Sequence, residues 1–282
     1  MTGDYTDRHY LLFGKEPHDI YESLDCDGTA KYLERLGFAH GALTQARKES
    51  SEYSRYADYR QPGEHYCDFC GRLLTGVNYD VLKDRRERCA ECSRTTISKQ
   101  EDFEALFAQT RDGLCVKYGI DLPSPIQIKV ISQAKLSKMQ GSRYVPTKYF
   151  DARAVGLATQ RGGRYCMYFE NGTPKASLIA TTAHELTHIW QYSHWDWAAM
   201  QRRYGDRFLA ICEGMAKWSE LQYMYLLNEK AYADRALSHE VQRTDVYGYG
   251  LRLYLKQYQM SQDILLAGDT PFMHPTEPLD IA

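Results

Sequence analysis

Thr173-Pro174-Lys175-Ala176-Ser177-Leu178-Ile179-Ala180-Thr181-Thr182-Ala183-His184-Glu185-Leu186-Thr187-His188-Ile189-Trp190-Gln191 decides how the rest of this chain is read. A hydroxyl residue followed by proline suits a helix start, with Thr173 as cap and Pro174 at the first helical position. Leu178, Ile179 and Ala183 then carry the helix on to about Gln191. Two histidines four apart, His184 and His188, lie one above the other on one helical face, so both imidazoles reach a single metal ion. Glu185 is offset by one residue and stands beside such an ion. There a carboxylate can act as general base, taking a proton from a zinc-activated water and passing it to a leaving amine. The plainer alternative is two helix-surface histidines around an ordinary glutamate.

A catalytic zinc of this kind needs a third protein ligand and an open position. His194 stands six residues after His188, the spacing of HExxHxxGxxH, but Gln191 occupies the place of the turning glycine. A residue with a Cβ resists the positive φ of that turn. The favoured candidate is Glu213, in Ala210-Ile211-Cys212-Glu213-Gly214-Met215-Ala216. Asp206 is expected to cap this second helix, and Phe208, Ile211, Met215 and Trp218 give it an apolar stripe. Gly214 in mid-helix costs about 1 kcal/mol against alanine. With Ala216, it points to close packing on the histidine helix.

Upstream, four of the eight cysteines form two pairs, Cys67-Asp68-Phe69-Cys70 and Cys89-Ala90-Glu91-Cys92, with 18 residues between them. That spacing predicts a tetrahedral structural zinc rather than disulfides, and with it a reducing compartment, the cytoplasm. Gly71 supplies the free backbone of a metal knuckle, and Tyr79 to Arg86 suggests a small hairpin. Cys26, Cys115, Cys166 and Cys212 are solitary and read as plain thiols.

Composition narrows the choice. Acids number 37 and bases 35, giving a net charge of −2, so neither nucleic acid nor an anionic membrane surface is favoured as partner. The apolar share of 43% and charged share of 26% are ordinary globular values. No apolar run reaches the ~18 residues of a membrane span. The first ten residues lack the apolar region of an export signal. Residues 1–62 read as a helical N-terminal region. Leu43, Ala46 and Ser50 have the outline of a ubiquitin-interacting helix, but His40-Gly41-Ala42 stands where its acidic run belongs. Residues 63–97 are the four-cysteine module, 98–267 a zincin-like domain and 268–282 a tail. Within the larger domain, Lys99 to Tyr118 reads as a helix closed by Gly119. Ile126, Ile128 and Val130 mark one strand, and Arg164 to Glu170 another that ends at Asn171-Gly172. Leu251 to Tyr258 reads as an amphipathic helix packed on the catalytic pair.

The four-cysteine module, the linker helix, the strands, His184 to His188 and Glu213-Gly214, in this order, resemble the LIM-linked, gluzincin-type zinc metallopeptidases of the DA-one family, in a bacterial type of relative. The resemblance covers roughly Tyr66 to Leu227. It implies zinc on His184, His188 and Glu213, with Glu185 as general base. The chain departs from the family in three ways. It has one four-cysteine set where a LIM domain has two, and 24 residues separate His188 from Glu213. No clear ubiquitin-interacting helix precedes the module, so ubiquitin binding is not expected.

The fold expected is α+β: a gluzincin-like HExxH domain preceded by N-terminal helices and a half-LIM or zinc-ribbon module. The activity expected is zinc-dependent hydrolysis of peptide bonds in a protein or peptide, with one catalytic and one structural Zn2+. A non-catalytic adaptor built on the cysteine module, or a zinc hydrolase of non-peptide amides, is the alternative. Arg164 to Glu170, directly before the catalytic helix, is the candidate edge strand for substrate. Tyr247 is the candidate donor to the developing oxyanion, ahead of Tyr249, His239 and His274.

Overall fold

Ile126, Ile128 and Val130 alternate with the exposed Gln127 and Lys129, and the segment forms β3 (Ile126–Ile131), half-buried along one face. The computed structural model describes residues 65–84, 86–139, 155–241, 246–261 and 269–280. The N-terminal helical region expected over 1–62, including Cys26, Leu43, Ala46 and Ser50, lies outside the described residues. What is described is a mixed α+β structure with two small sheets and a group of helices.

The first sheet is the hairpin β1 (Tyr79–Val81) and β2 (Glu87–Cys89), which runs into the short helix α1 (Ala90–Arg94). Then come α2 (Gln100–Tyr118), ended by Gly119 at φ +63°, β3, and α3 (Gln133–Met139). Two further strands, β4 (Gly156–Arg161) and β5 (Arg164–Glu170), complete a three-stranded sheet of order β3-β5-β4. β3 runs parallel to β5, with Ile128 opposite Met167, and β4 runs antiparallel, with Ala158 opposite Met167. The candidate edge, Arg164 to Glu170, is therefore the central strand. Among the described residues the edge next to the helices is β4, whose sequence Gly-Leu-Ala-Thr-Gln-Arg shows no alternation.

After the Asn171-Gly172 turn comes α4 (Lys175–His194), the histidine helix. Pro174 precedes it rather than opening it, and the Thr173 hydroxyl donates to Glu170 O at 2.7 Å instead of capping. Then follow α5 (Trp197–Tyr204), a 3₁₀ turn (Gly205–Arg207), α6 (Phe208–Leu226), α7 (Lys230–Glu240) and α8 (Val246–Gln257). Asp206 belongs to the 3₁₀ turn and does not cap α6. Asp196 caps α5 instead, accepting from Ala199 N at 3.0 Å.

α4 is covered by β4, α2 and α6, and is accordingly buried around nearly its whole circumference from Ser177 to Tyr192. α6 lies between α4 and α8 and is equally enclosed. It does pack on the histidine helix, but the close approach at Gly214 is to α8. A Cβ on Gly214 would stand 2.4 Å from the carbonyl carbon of Gly250. The segment expected to be a tail is packed as well. Phe272 and Leu279 are buried, the Phe272 ring lies 4.8 Å from that of Tyr118, and Tyr204 Oη donates to Leu279 O at 2.9 Å. No helix among the described residues is long and apolar enough to cross a membrane.

Candidate metal centres

Helical spacing stacks His184 above His188, and the crossing of α4 by α6 brings Glu213 to them. The imidazole centroids are 4.9 Å apart and nearly perpendicular. His184 Nε2 and His188 Nε2 lie 3.2 Å apart, and Glu213 Oε2 stands 3.3 and 3.2 Å from them. Three ligands at about 2.05 Å in a tetrahedral set stand about 3.3 Å from one another, so this buried triangle fits a small divalent ion. All three residues are less than 10% exposed. Crowding two imidazoles and a carboxylate out of water makes sense when a cation sits among them.

His194 is elsewhere. It ends α4, six residues on and round the helix from His188, with its ring stacked 4.6 Å from Trp190 and Nε2 3.3 Å from Asp121. The helix runs straight through Gln191, so no turn brings His194 back. Gln191 instead serves the site: its Oε1 lies 2.8 Å from His188 Nδ1, and its Nε2 donates to Cys212 O at 3.0 Å.

Glu185 faces the sheet. Its Oε2 accepts from the backbone N–H of Ala158 at 2.6 Å. The Ala158 N–H turns away from β5 to reach Glu185, while Val155 O accepts from Glu170 N of β5, so by the alternation of an antiparallel ladder the backbone groups of Gly156 and Gln160 also point away from β5. Among the described residues no strand pairs with this side of β4, which looks onto Glu185. Gly156 permits the approach, since a Cβ there would stand 2.4 Å from Thr181 Cγ2.

Tyr247, in the first turn of α8, has its ring 6.2 Å from that of His184. The other donors considered face other partners: His239 lies against Gly71 of the cysteine module, and His274 pairs with Asp269 at 2.8 Å. Tyr249 lies two residues further along α8.

Three residues that sequence reasoning passed over stand behind His184. Glu220 Oε2 is 3.2 Å from His184 Nδ1, Lys217 Nζ is 2.6 Å from the same oxygen, and Glu240 Oε1 of α7 is 3.7 Å from Lys217. Burial opposes charge on His184, but the carboxylates of Glu213 and Glu220 outweigh it and push its pKa up to about 9. Burial likewise works against the Glu220 carboxylate, but Lys217 and then His184 prevail and hold it at about 2. The signal was there: Glu213, Lys217 and Glu220 are the charged residues of α6 and recur at i, i+4 and i+7.

The four cysteines Cys67, Cys70, Cys89 and Cys92 also converge, all buried, with their sulfurs within 4.8 Å of one another. Cys70 and Cys89 Sγ are 3.7 Å apart, far from the ~2.05 Å of a disulfide. That separation matches the ~3.8 Å edge of a tetrahedron built on metal–sulfur bonds of about 2.3 Å. Hydrogen bonds from Cys67 and Cys92 hold the Cys70 thiol down at about 4, while Cys67 and burial push Cys89 up to about 12. Thiolates crowded in this way are relieved by a cation. Gly71, at φ +67°, turns the chain out of the first knuckle. The cluster could hold a metal ion, as could the triangle.

Comparison with protein-family models, curated proteins and solved structures gives no match for this chain.

Proposed function

We propose that the chain is a zinc-dependent peptidase of gluzincin type, with the cysteine module holding a second, structural zinc. The observation that carries this reading is the pairing of the His184–His188–Glu213 triangle with a glutamate that accepts from an outward backbone N–H of β4. His184, His188 and Glu213 would hold the catalytic ion, and Cys67, Cys70, Cys89 and Cys92 the structural one. A bound Zn2+ supplies Lewis acidity toward a water and toward a carbonyl oxygen.

The protein's own groups supply the rest. Glu185 sits one residue from His184 and accepts from Ala158 N–H, and its carboxylate would hold a proton between the attacking water and the leaving nitrogen. The outward backbone groups of Gly156 and Gln160 offer an extended peptide a strand to pair with. That pairing would run a substrate carbonyl past Glu185. Tyr247, whose ring lies 6.2 Å from that of His184, would donate to the oxyanion.

The test is Glu185→Gln. Zinc content by elemental analysis should stay at about two per chain in wild type and variant alike. Cleavage of an unfolded protein substrate should fall by about 100-fold or more. Equal cleavage by the variant would remove Glu185 as base and leave the adaptor reading.

A further inference from the structure

Glu220, Lys217 and Glu240 are 8, 7 and 6% exposed, in helices that are otherwise apolar where they meet. Removing three charged groups from water costs several kcal/mol each, so their presence needs a reason beyond filling space. Glu220 lies two turns beyond Glu213 on the same face of α6, which aims both carboxylates at His184 from opposite sides of its ring. One oxygen, Glu220 Oε2, faces both Lys217 Nζ and His184 Nδ1. His184 Nδ1 is itself buried and completes no hydrogen bond, standing at ion-pair distance from Glu220. A histidine that gives Nε2 to a metal carries its proton on Nδ1, and an acceptor facing that proton sets the ring's orientation and basicity. His188 has a neutral partner in the same role, the Gln191 amide.

We propose that Glu220 is the positioning residue of His184, and that Lys217, tied to α7 by Glu240, holds the Glu220 carboxylate at Nδ1. The inference rests on the metal-site reading above. It makes the two ligand histidines unequal: His184 is backed by an anion, His188 by an amide. It also gives the buried lysine a function, because Lys217 Nζ lies 2.6 Å from the Glu220 oxygen that faces His184 Nδ1.

The experiment is a zinc competition titration of the full chain, comparing wild type, Glu220→Gln and the double variant Lys217→Met/Glu220→Gln, with the stability of each metal-stripped protein measured alongside. Both variants are expected to bind zinc about 10- to 100-fold more weakly at the histidine site, with the cysteine site unchanged. The cobalt(II) absorption of the nitrogen–oxygen site should shift in step. A purely structural role would lower the stability of the stripped protein and leave the zinc affinity of the folded protein alone. Wild-type affinity in a folded variant therefore overturns the inference. If Glu220→Gln does not fold, the double variant decides; if neither folds, the charges hold the fold rather than the ring, and the inference fails. A wild type that takes zinc only at the cysteines overturns the metal-site reading together with it.

Discussion

Buried histidines ordinarily lose their proton, because burial disfavours the charged form. His184 departs from this in the metal-free protein. Against burial, Glu213 and Glu220 raise its pKa from the ordinary 6.5 to about 9. Between those two values the folded chain holds a proton that the unfolded chain has released. Stability from this group is therefore fully present below about pH 6.5 and is lost as pH rises through about 9. With zinc bound, the same histidine must be neutral, so acid rather than base weakens the loaded protein. Urea midpoints should accordingly fall from pH 6.5 to 9 for stripped protein, and not for zinc-loaded protein. The fall should shrink in stripped His184→Asn. An equal fall in that variant would assign it to other groups.

At the scale of elements, the decisive contact is the crossing of α6 and α8. Gly214 and Gly250 meet there without side chains, and a Cβ on Gly250 would stand 2.0 Å from Ala210 O. The obstacle is backbone, which cannot swing aside as a flexible side chain would. Gly214→Ala should therefore destabilise by about 1–3 kcal/mol despite alanine's better helix propensity, read as a lower denaturation midpoint. Because Glu213 is the adjacent residue, the same variant should also weaken zinc binding. A stabilised Gly214→Ala would mean that the helices do not touch there. Sequence placed a glycine beside the carboxylate correctly, but it could not say which neighbour required the close approach. Two helices, α4 and α8, flank α6, and each is apolar enough to be that neighbour.

Across the whole molecule, the cysteine module is fastened to the histidine helix. Ser177 Oγ donates to Phe69 O at 2.6 Å, Lys175 N to Thr95 O at 2.9 Å, and Arg235 Nε of α7 to Cys70 O at 2.9 Å. The strongest fastening is electrostatic. Arg86, only 4% exposed, makes paired hydrogen bonds to Glu170 at the end of β5 and lies over the Phe69 ring at 4.8 Å. Removing one partner leaves a buried charge unpaired, so Arg86→Met should cost about 3–5 kcal/mol in chemical denaturation. The double variant Arg86→Met/Glu170→Met should recover most of that loss. If Arg86→Met is as stable as wild type, the module is not docked on the sheet in this way.

Sequence alone determined what depends on spacing along one element. His184 and His188 share a face because four residues are about one helical turn, and each CxxC pair forms a knuckle for an equally local reason. Alternation marked β3 and β5, Gly119 marked the end of α2, and Gly172 the turn after β5. Tertiary structure decided everything that depends on which elements meet. It placed Glu213 rather than His194 at the histidines, because α4 continues straight to His194 while α6 crosses at Glu213. It put β5 in the middle of the sheet and turned the outer side of β4, which has no periodic signal, toward Glu185. It packed the segment 269–280 on the core and gathered Glu220, Lys217 and Glu240 behind His184. Local spacing follows from backbone geometry and is written in the chain. The meeting of distant elements follows from how apolar faces share a common interior, and many pairings of those faces are compatible with one pattern of residues.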